Sequence, residues 1–145
     1  MTRLVYRPLS QPHDTDVPTI CAEMDKPAAS RFLSYDKEHF WNYVTMTPNV
    51  FYYKVYNGKH FVGAVHAELA ENVLYMSILV FEAYRRQGIG KRILADVLND
   101  KLPIAYKTVC VAIDRENEPS IRLFEKMGFV LQSTEDELLE YSFSK

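Results

Sequence analysis

The sequence predicts an α+β fold in which one mainly antiparallel sheet contains a βαβ step near the middle of the chain. The Asn57-Gly58 pair separates two apolar stretches, residues 50–56 and 59–69, and supplies the positive φ angles that a two-residue hairpin turn requires. Residues 72–81 are so apolar that we expect a central strand covered on both faces. A helical pattern and a strand over residues 108–113 follow, as in a crossover between parallel strands.

The first third of the chain predicts one strand and two helices. Residues 3–9 read as a short strand, and turn formers with a proline then open a helix over about residues 19–30. A second helix is predicted over residues 36–46, with Asp36 as its N-cap. The apolar side of this second helix is predicted to consist of Phe40, Tyr43 and Val44.

The second half predicts two more helices and a closing pair of strands. The helices cover about residues 90–99 and residues 118–127. The strands cover residues 129–133 and 138–144. Gly128 follows the last helix and is predicted to be its left-handed C′ residue.

Composition limits the classes of protein to consider. A chain of 145 residues that is 48% hydrophobic suits one globular domain over residues 1–145. The formal net charge of −2 provides no basic field for nucleic acid. Cys21 and Cys110 lack metal-ligand spacing and are expected to be reduced thiols, so no metal is expected. No signal peptide or membrane span is recognisable, and a soluble cytoplasmic protein is expected.

Positive charge is concentrated where the third predicted helix begins. Four cations and two glycines lie in this short stretch: Arg85, Arg86, Lys91, Arg92, Gly88 and Gly90. A helix N-terminus already carries partial positive charge and unpaired N–H groups. Glycines allow the backbone to approach a ligand closely, so this loop suits a strongly anionic group such as a pyrophosphate. A solvated turn before a surface helix is the alternative.

Two familiar phosphate-binding loops do not fit this stretch. A Walker loop needs a glycine where Arg85 stands and Ser or Thr where Arg92 stands. A Rossmann fingerprint needs Gly or Ala at Ile93 and an early βαβ unit. A nucleotide-binding switch protein is therefore disfavoured.

Two stretches together resemble the GNAT-type N-acetyltransferases. The segment VFEAYRRQGIGKRIL is similar to the acetyl-CoA-binding motif of that family, which Arg85, Gly88 and Gly90 match. The segment VCVAIDRENEPSIRLFEKMGF is similar to a second signature, with Asn117 as the motif Asn and Gly128-Phe129 as the terminal pair. The resemblance covers about residues 50–130.

The resemblance implies a GNAT fold and an acetyl-CoA site. The expected sheet is mixed, mainly antiparallel, of about six to seven strands, and flanked by about four helices. Its central strands, residues 72–81 and 108–113, would splay apart and hold the pantetheine arm of acetyl-CoA between them. The cofactor-binding residues implied are Ile78, Leu79, Val80, Arg85, Arg86, Gln87, Gly88, Ile89, Gly90, Lys91 and Asn117. A helix cap is the alternative role for Asn117.

The sequence departs from the family pattern in two places. Phe124 stands where many members carry a Tyr that protonates the departing thiolate, and residues 72–81 contain no carboxylate to serve as a base. Attack by an amine requires its neutral form, whereas a lysine-like amine has a pKa of about 10.4. Either acid and base come from elsewhere, or the acceptor is weakly basic, or catalysis is slow or absent.

Candidate catalytic residues are Glu68, Tyr75 and Ser77. Glu68 shares a strand face with His66 and would adjoin the acceptor side, although a solvated strand face is the preferred explanation for both residues. Tyr75 and Ser77 lie on the strand that would border the thioester. Residues in the acceptor-binding region, which alternatively pack into the core, are Tyr35, Asp36, His39 and Trp41. Tyr84 and Tyr141 are weaker candidates.

The predicted function is transfer of an acetyl group from acetyl-CoA to a primary amine by direct attack. The expected partners are acetyl-CoA and an amine acceptor, without nucleic acid or membrane, and the chain is expected to be a monomer or homodimer. Cys110 has no His near it in sequence, which disfavours a thiol-mediated route. An acyl-CoA-binding module without turnover, acting in sensing or partner binding, is the alternative.

Overall fold

The computed structural model describes residues 3–27 and 39–145. The strands are β1 (Leu4–Pro8), β2 (Val50–Asn57), β3 (His60–Ala70), β4 (Val73–Val80), β5 (Thr108–Asp114), β6 (Val130–Glu135) and β7 (Leu138–Ser144). The α-helices in these residues are α1 (Val17–Met24), α2 (Phe40–Met46), α3 (Ile89–Leu98) and α4 (Glu118–Lys126), with a 3₁₀ turn over Glu82–Tyr84. The predicted α+β class is confirmed.

All seven strands form one sheet in the order β1-β2-β3-β4-β5-β7-β6. Every neighbouring pair is antiparallel except β4 and β5, which are parallel. Parallel neighbours cannot be joined by a hairpin, and α3 provides the crossover between these two strands. The mainly antiparallel sheet with one central βαβ step is as predicted.

The sheet has a helix-covered core on each face. Helices α3 and α4 contribute to the larger core, which contains Val65, Leu74 and Ile93. Helices α1 and α2 contribute to a smaller core on the other face, with Ile20 and Val44 among its residues. Each fully buried aliphatic side chain of this kind stabilises the fold by about 1.5–3 kcal/mol. The opposite faces of the sheet are thus covered by different pairs of helices.

The β2–β3 hairpin is confirmed, but its predicted turn residues are wrong by one position. Asn57 pairs with His60, so the loop consists of Gly58 and Lys59, and Gly58 is its left-handed residue with φ of 64°. The register shifts nearby because Val62 is an extra residue in β3.

Helix α2 differs from its prediction. The helix begins at Phe40 with His39 as the N-cap residue, and the proposed cap Asp36 lies outside the described residues. Trp41, 7% exposed, and Val44 face the sheet, whereas Tyr43 is 41% exposed. Trp41 and Val44 are three positions apart and therefore share a face, from which Tyr43 turns away.

The other predicted helix boundaries need small corrections. Helix α1 runs over Val17–Met24 rather than beginning near residue 19, because Pro18 occupies the first turn, where a missing N–H is tolerated. The last three residues of its predicted span, 28–30, lie outside the described residues. Helix α3 begins at Ile89, one residue before its predicted start.

Strand β4 is central, as predicted, but it is not covered on both faces. Leu74, 1% exposed, faces the core under α3 and α4, while Tyr75 on the other face is 47% exposed. Helix α2 packs over β2 and does not extend over β4. Tyr75 and Ser77 are therefore left exposed by this helix.

Helix α4 ends as the sequence predicts. Gly128 has φ of 96°, and its N–H donates to the carbonyl of Glu125. The Phe129 N–H donates to the carbonyl of Phe124, which completes a Schellman motif. Gly128 is therefore the left-handed C′ residue.

We predict that Gly63→Ala lowers the free energy of unfolding by about 1–3 kcal/mol. A Cβ at Gly63 would lie 2.3 Å from the Leu79 carbonyl oxygen, a backbone atom that cannot rotate away. Gly90→Ala is the control, because its Cβ would lie 3.6 Å from two side-chain atoms. Urea titration measures both variants, and an equal loss in the control would contradict the steric explanation.

Candidate functional site

The central strands β4 and β5 separate after three paired residues. Their parallel pairing consists of Val73 with Thr108, Leu74 with Val109, and Tyr75 with Cys110. Beyond Tyr75, β4 pairs only with β3, and beyond Cys110, β5 pairs only with β7. The resulting gap exposes main-chain edges to which an extended ligand can add as a strand does. This splay was expected from the family resemblance and is confirmed.

The three residues predicted to bind the pantetheine arm lie beside this gap. Ile78, Leu79 and Val80 are on the part of β4 that does not pair with β5. The Val80 carbonyl accepts a hydrogen bond from Arg85 Nε at 3.1 Å, so it is already engaged. Main-chain groups nearer the middle of the gap are thus better placed to meet an extended ligand.

The loop after β4 leads into an uncapped helix N-terminus. Arg86 and Gly88 have left-handed φ angles of 64° and 76°. Gly88 is the N-cap of α3 and offers no side chain, and no acidic residue occupies the first turn of that helix. The first N–H groups of α3 are therefore left to interact with an anion at the positive end of the helix dipole.

The remaining loop residues differ in what they can contribute. The side chains of Arg86, Gln87 and Lys91 are exposed. Ile89 is buried in the larger core, so only its backbone can face a ligand. A Cβ at Gly90 would have ordinary contacts only, so no steric clash within the chain requires a glycine there.

The structure places Asn117 at the N-cap of α4. Its Oδ1 accepts a hydrogen bond from the Ser120 N–H at 3.4 Å, as the capping interpretation requires. Phe124, further along the same helix, is buried and packs edge-to-face on Phe129, with ring centroids 5.0 Å apart. Phe124 is thus a core residue, and it has no hydroxyl group that could donate a proton.

A group of polar side chains lies on the sheet face opposite α3 and α4, at the point where the strands separate. The β3–β4 register pairs Glu68 with Tyr75 and His66 with Ser77. Directly paired residues have Cβ atoms about 4.5–5.5 Å apart, so the four side chains form a compact patch. The three predicted catalytic residues Glu68, Tyr75 and Ser77 are therefore brought together.

Glu68 is held at one of its two carboxylate oxygens. The Tyr43 hydroxyl donates a hydrogen bond to Oε1, and His66 Nε2 lies 3.8 Å from that same oxygen. The carboxylate side chain is 39% exposed. Within the part of the chain that the structure describes, Oε2 has no hydrogen-bond or ion-pair partner. One oxygen is thus oriented while the other remains open to a ligand.

His66 is enclosed by aromatic rings. Its ring centroid lies 5.5 Å from that of Phe40, 6.5 Å from that of Tyr43 and 6.0 Å from that of Tyr52. Burial lowers the pKa of His66 below its usual value, so the imidazole is neutral at pH 7. Nε2 is buried without a hydrogen-bond partner among the described residues.

Sequence reasoning missed two residues of this patch. Tyr43 was predicted to lie on an apolar helix side, and His66 was predicted to lie beside Glu68 on a strand face for which solvation was the preferred explanation. The period of two in β3 placed His66 beside Glu68. In contrast, nothing in the sequence showed that α2 would direct Tyr43 onto β3.

Other candidate residues lie elsewhere. For Trp41, the acceptor pocket and the core were both open, and the structure places it in the core, because it faces the sheet. The buried Tyr141 donates a hydrogen bond to Glu125 Oε2 at 2.8 Å. The Tyr84 ring lies 6.2 Å from that of His60. Tyr35 and Asp36 fall outside the described residues.

The described residues contain neither a metal-binding cluster nor a membrane-spanning helix. In residues 3–27 and 39–145, no cluster of three or more His, Cys, Asp or Glu side chains is arranged to hold a metal ion. None of the helices in those residues has the length and apolar character that crossing a membrane would need.

Comparison with known proteins places the chain in a family. The family model described as Acetyltransferase (GNAT) family matches residues 17–129. The matched region includes both central strands, the loop before α3 and the polar patch. The chain therefore belongs to the acetyltransferase (GNAT) family.

Individual relatives agree with this assignment. The uncharacterized N-acetyltransferase YfmK of Bacillus subtilis is 30% identical over 80 residues, 55% of this chain and 54% of that protein. The match thus spans about half the length of that curated relative. A domain from Methanocaldococcus jannaschii shares the fold with a TM-score of 0.82 at 20% identity, over 100% of both chains. Campylobacter jejuni PseH in complex with acetyl coenzyme A has a TM-score of 0.78 at 9% identity, over 99% of both chains.

We predict that the protein loses stability as the pH falls below about 6.5, partly because of His66. Its pKa is lower in the folded state than its usual 6.5, so the unfolded state binds more protons in this range. The free energy of unfolding should therefore rise with pH until about 6.5. In His66→Gln this dependence should weaken, as denaturant titration at several pH values can measure. An unchanged pH dependence in that variant would contradict the burial of a neutral imidazole.

Proposed function

We propose that this chain, acting as a single domain, transfers an acetyl group from acetyl-CoA to a primary amine by direct attack. One observation carries the proposal: the β4–β5 gap opens between the uncapped start of α3 and the patch containing Glu68 and Tyr75. A cofactor that is anionic at one end and reactive at the other would span these features. Family membership and the acetyl coenzyme A complex of PseH support this choice of cofactor.

In this proposal the backbone of the chain supplies most of the acetyl-CoA contacts. The pantetheine arm would follow Ile78, Leu79 and Val80 along the open edge of β4. The pyrophosphate would meet the N–H groups of residues 88–91 and the charges of Arg85 and Arg86. Asn117 would contribute chiefly by capping α4.

The acetyl transfer needs a proton acceptor and a proton donor. Glu68 would take a proton from the bound ammonium group, whose nitrogen then attacks the thioester carbonyl. The new C–N bond forms as the C–S bond breaks and the CoA thiolate leaves, and the nitrogen loses its second proton to solvent, which gives the neutral amide. Tyr75 would donate its phenolic proton to that thiolate, with Ser77 close by as a further hydroxyl. The proton on Glu68 passes to solvent, and Tyr75 regains its own from solvent.

One observation supports direct attack over a covalent thiol intermediate. Cys110, the cysteine nearest the gap, pairs with Tyr75 at the point where β4 and β5 separate. Burial, and to a lesser extent the nearby Glu140 carboxylate, raises the pKa of the Cys110 thiol. A thiol with a raised pKa supplies little thiolate at pH 7 and is a poor nucleophile.

The setting of the activity remains a prediction. We propose a monomer or homodimer in the cytoplasm, binding acetyl-CoA and an amine acceptor but neither nucleic acid nor membrane. The net charge of −2 supports the absence of nucleic-acid binding.

The direct test of the proposed function is thiol release from acetyl-CoA across a panel of amines, amino acids and peptides. Thermal protection by acetyl-CoA is recorded in the same samples. Release that depends on an amine would support the enzyme. Protection without release from any acceptor would favour an acyl-CoA-binding module.

We predict that Arg85→Glu and Gly90→Asp each weaken acetyl-CoA binding at least about tenfold. Each places a carboxylate beside the expected pyrophosphate, while an Asp in the first helical turn favours the helix itself. Lys59→Glu, at the exposed hairpin loop, is the control for charge reversal. Calorimetric titration gives the dissociation constants, and unchanged affinity in both site variants would remove this phosphate site.

We also predict that Tyr75→Phe lowers kcat about 100-fold or more while the acetyl-CoA dissociation constant stays within about twofold, since only the proton donor is lost. Thiol-release kinetics and calorimetry measure the two quantities. The matched variant is Phe124→Tyr, which should leave acetyl-CoA binding intact and raise turnover or leave it unchanged. Full activity of Tyr75→Phe would contradict the role of Tyr75.

A further inference from the structure

The acceptor patch, defined as Tyr43, His66, Glu68 and Tyr75, carries a negative charge that no Lys or Arg of residues 3–27 and 39–145 neutralises by direct contact. Among the described residues, no Lys or Arg nitrogen lies within 4.0 Å of the Glu68 carboxylate. Within the described part of the chain, the titratable groups that contact Glu68 or are paired with it are Tyr43 from α2, His66 from its own strand and Tyr75 from β4. None of these side chains carries a positive charge at pH 7.

A second group of acids on the same face of the sheet shows the contrast. Lys54 Nζ lies 2.9 Å from Asp14 Oδ2 and 2.9 Å from Asp16 Oδ2. The Tyr56 hydroxyl donates a further hydrogen bond to Asp16 at 2.7 Å. There the chain supplies its own cation to partly buried carboxylates. At Glu68 the described residues supply only neutral groups and no partner for Oε2.

We propose that Glu68 binds the acceptor as an alkylammonium ion and that the acceptor belongs to the aliphatic amines without a carboxylate beside the reacting nitrogen. The proposal rests on the proposed acetyl transfer and adds the substrate class. Oε1 is oriented by Tyr43, so the open Oε2 is the oxygen that meets the ammonium group. A second anion next to that nitrogen would lie within a few ångströms of Glu68 and be repelled.

The two tyrosine rings beside Glu68 also favour an alkylammonium ligand. Tyr43 and Tyr75 are 41% and 47% exposed and flank Glu68 from α2 and from β4. Exposed aromatic rings attract cations through their faces and also cover the methylene groups of an alkyl chain. A carboxylate between two such rings therefore favours a cation with an aliphatic tail over a strongly hydrated zwitterion.

His66 acts in this proposal as a positioning residue. Its neutral ring fills the space behind Glu68 without adding a counter-charge, and Nε2 lies 3.8 Å from Oε1. An imidazolium at this position would pair with Glu68 and compete with the ammonium ligand. The ring shell of Phe40, Tyr43 and Tyr52 maintains the neutral form.

The test compares three ligands that differ in the group on the carbon bearing the amine: pentylamine has hydrogen there, norleucinamide an amide and norleucine a carboxylate. Their binding to the full chain is measured by calorimetry in the presence of CoA, which carries no acetyl group and permits no turnover. We expect pentylamine to bind at least about tenfold more tightly than norleucine, with norleucinamide between them. Equal or tighter binding of norleucine, or no detectable binding of pentylamine, would overturn the proposal.

Variants locate the preference at the patch. In Glu68→Gln the dissociation constants of pentylamine and norleucine should agree to within about twofold, a ratio near one. The variant lacks the charge that attracts the ammonium group and repels the carboxylate. Glu71→Gln, at the exposed β3–β4 turn, removes the same charge three residues away and should keep the ratio. Retention of the preference in Glu68→Gln, with its fold verified by circular dichroism, would assign selectivity to another group.

A third variant tests the positioning role of His66. His66→Phe fills the same space but cannot be protonated, whereas wild-type protein should lose pentylamine affinity as the pH falls and His66 becomes charged. The part of this affinity loss that His66 causes should be absent from His66→Phe. A pH profile identical to that of the wild-type protein would remove His66 from the proposal.

Thiol release from acetyl-CoA is measured in parallel with the same amines. Absence of release from every amine would contradict the proposed function, whereas the binding ratio decides the acceptor class. The two failures are therefore distinguishable.

Discussion

The early separation of β4 from β5 is the constraint on which the rest of the structure depends. Parallel strands in a sheet normally satisfy each other's backbone groups along their length, yet here only three residue pairs do so. The sheet remains intact because β4 stays paired with β3, and β5 with β7, on their outer sides. The open inner edges are then left for a ligand whose own amide groups can replace the missing strand.

The arrangement of helices gives the two ends of this gap different chemistry. Helix α3 begins just past the end of β4, so its positive N-terminus and the arginines of the preceding loop lie at one end. Helix α2 packs over β2 and leaves the acceptor patch partly exposed at the point of separation. The open N-terminus of α3 and the Glu68 carboxylate thus lie at different ends of one gap, as the proposed acetyl transfer from a phosphorylated carrier to a cationic amine would require.

Features governed by local sequence could be predicted, and those governed by packing could not. The left-handed Gly128, the cap formed by Asn117 and the glycine-containing start of α3 follow from local backbone chemistry. The hairpin was predicted too, but its turn lies one residue later than predicted, and the sequence pattern gave no sign of the extra residue in β3. Helix periodicity could not tell which side of α2 would meet the sheet. The contact of Tyr43 with Glu68 was therefore not predicted, and Trp41 was assigned to the core only as one of two alternatives.

Backbone amide exchange of residues 76–80, with and without acetyl-CoA, would test the central claim most directly. The account predicts that acetyl-CoA slows exchange of the amides on the open edge of β4 and in the first turn of α3. Strand β6, at the far edge of the sheet, provides the internal reference and should be unaffected. Protection confined to other segments, with residues 76–80 unchanged, would contradict a ligand-filled gap between β4 and β5.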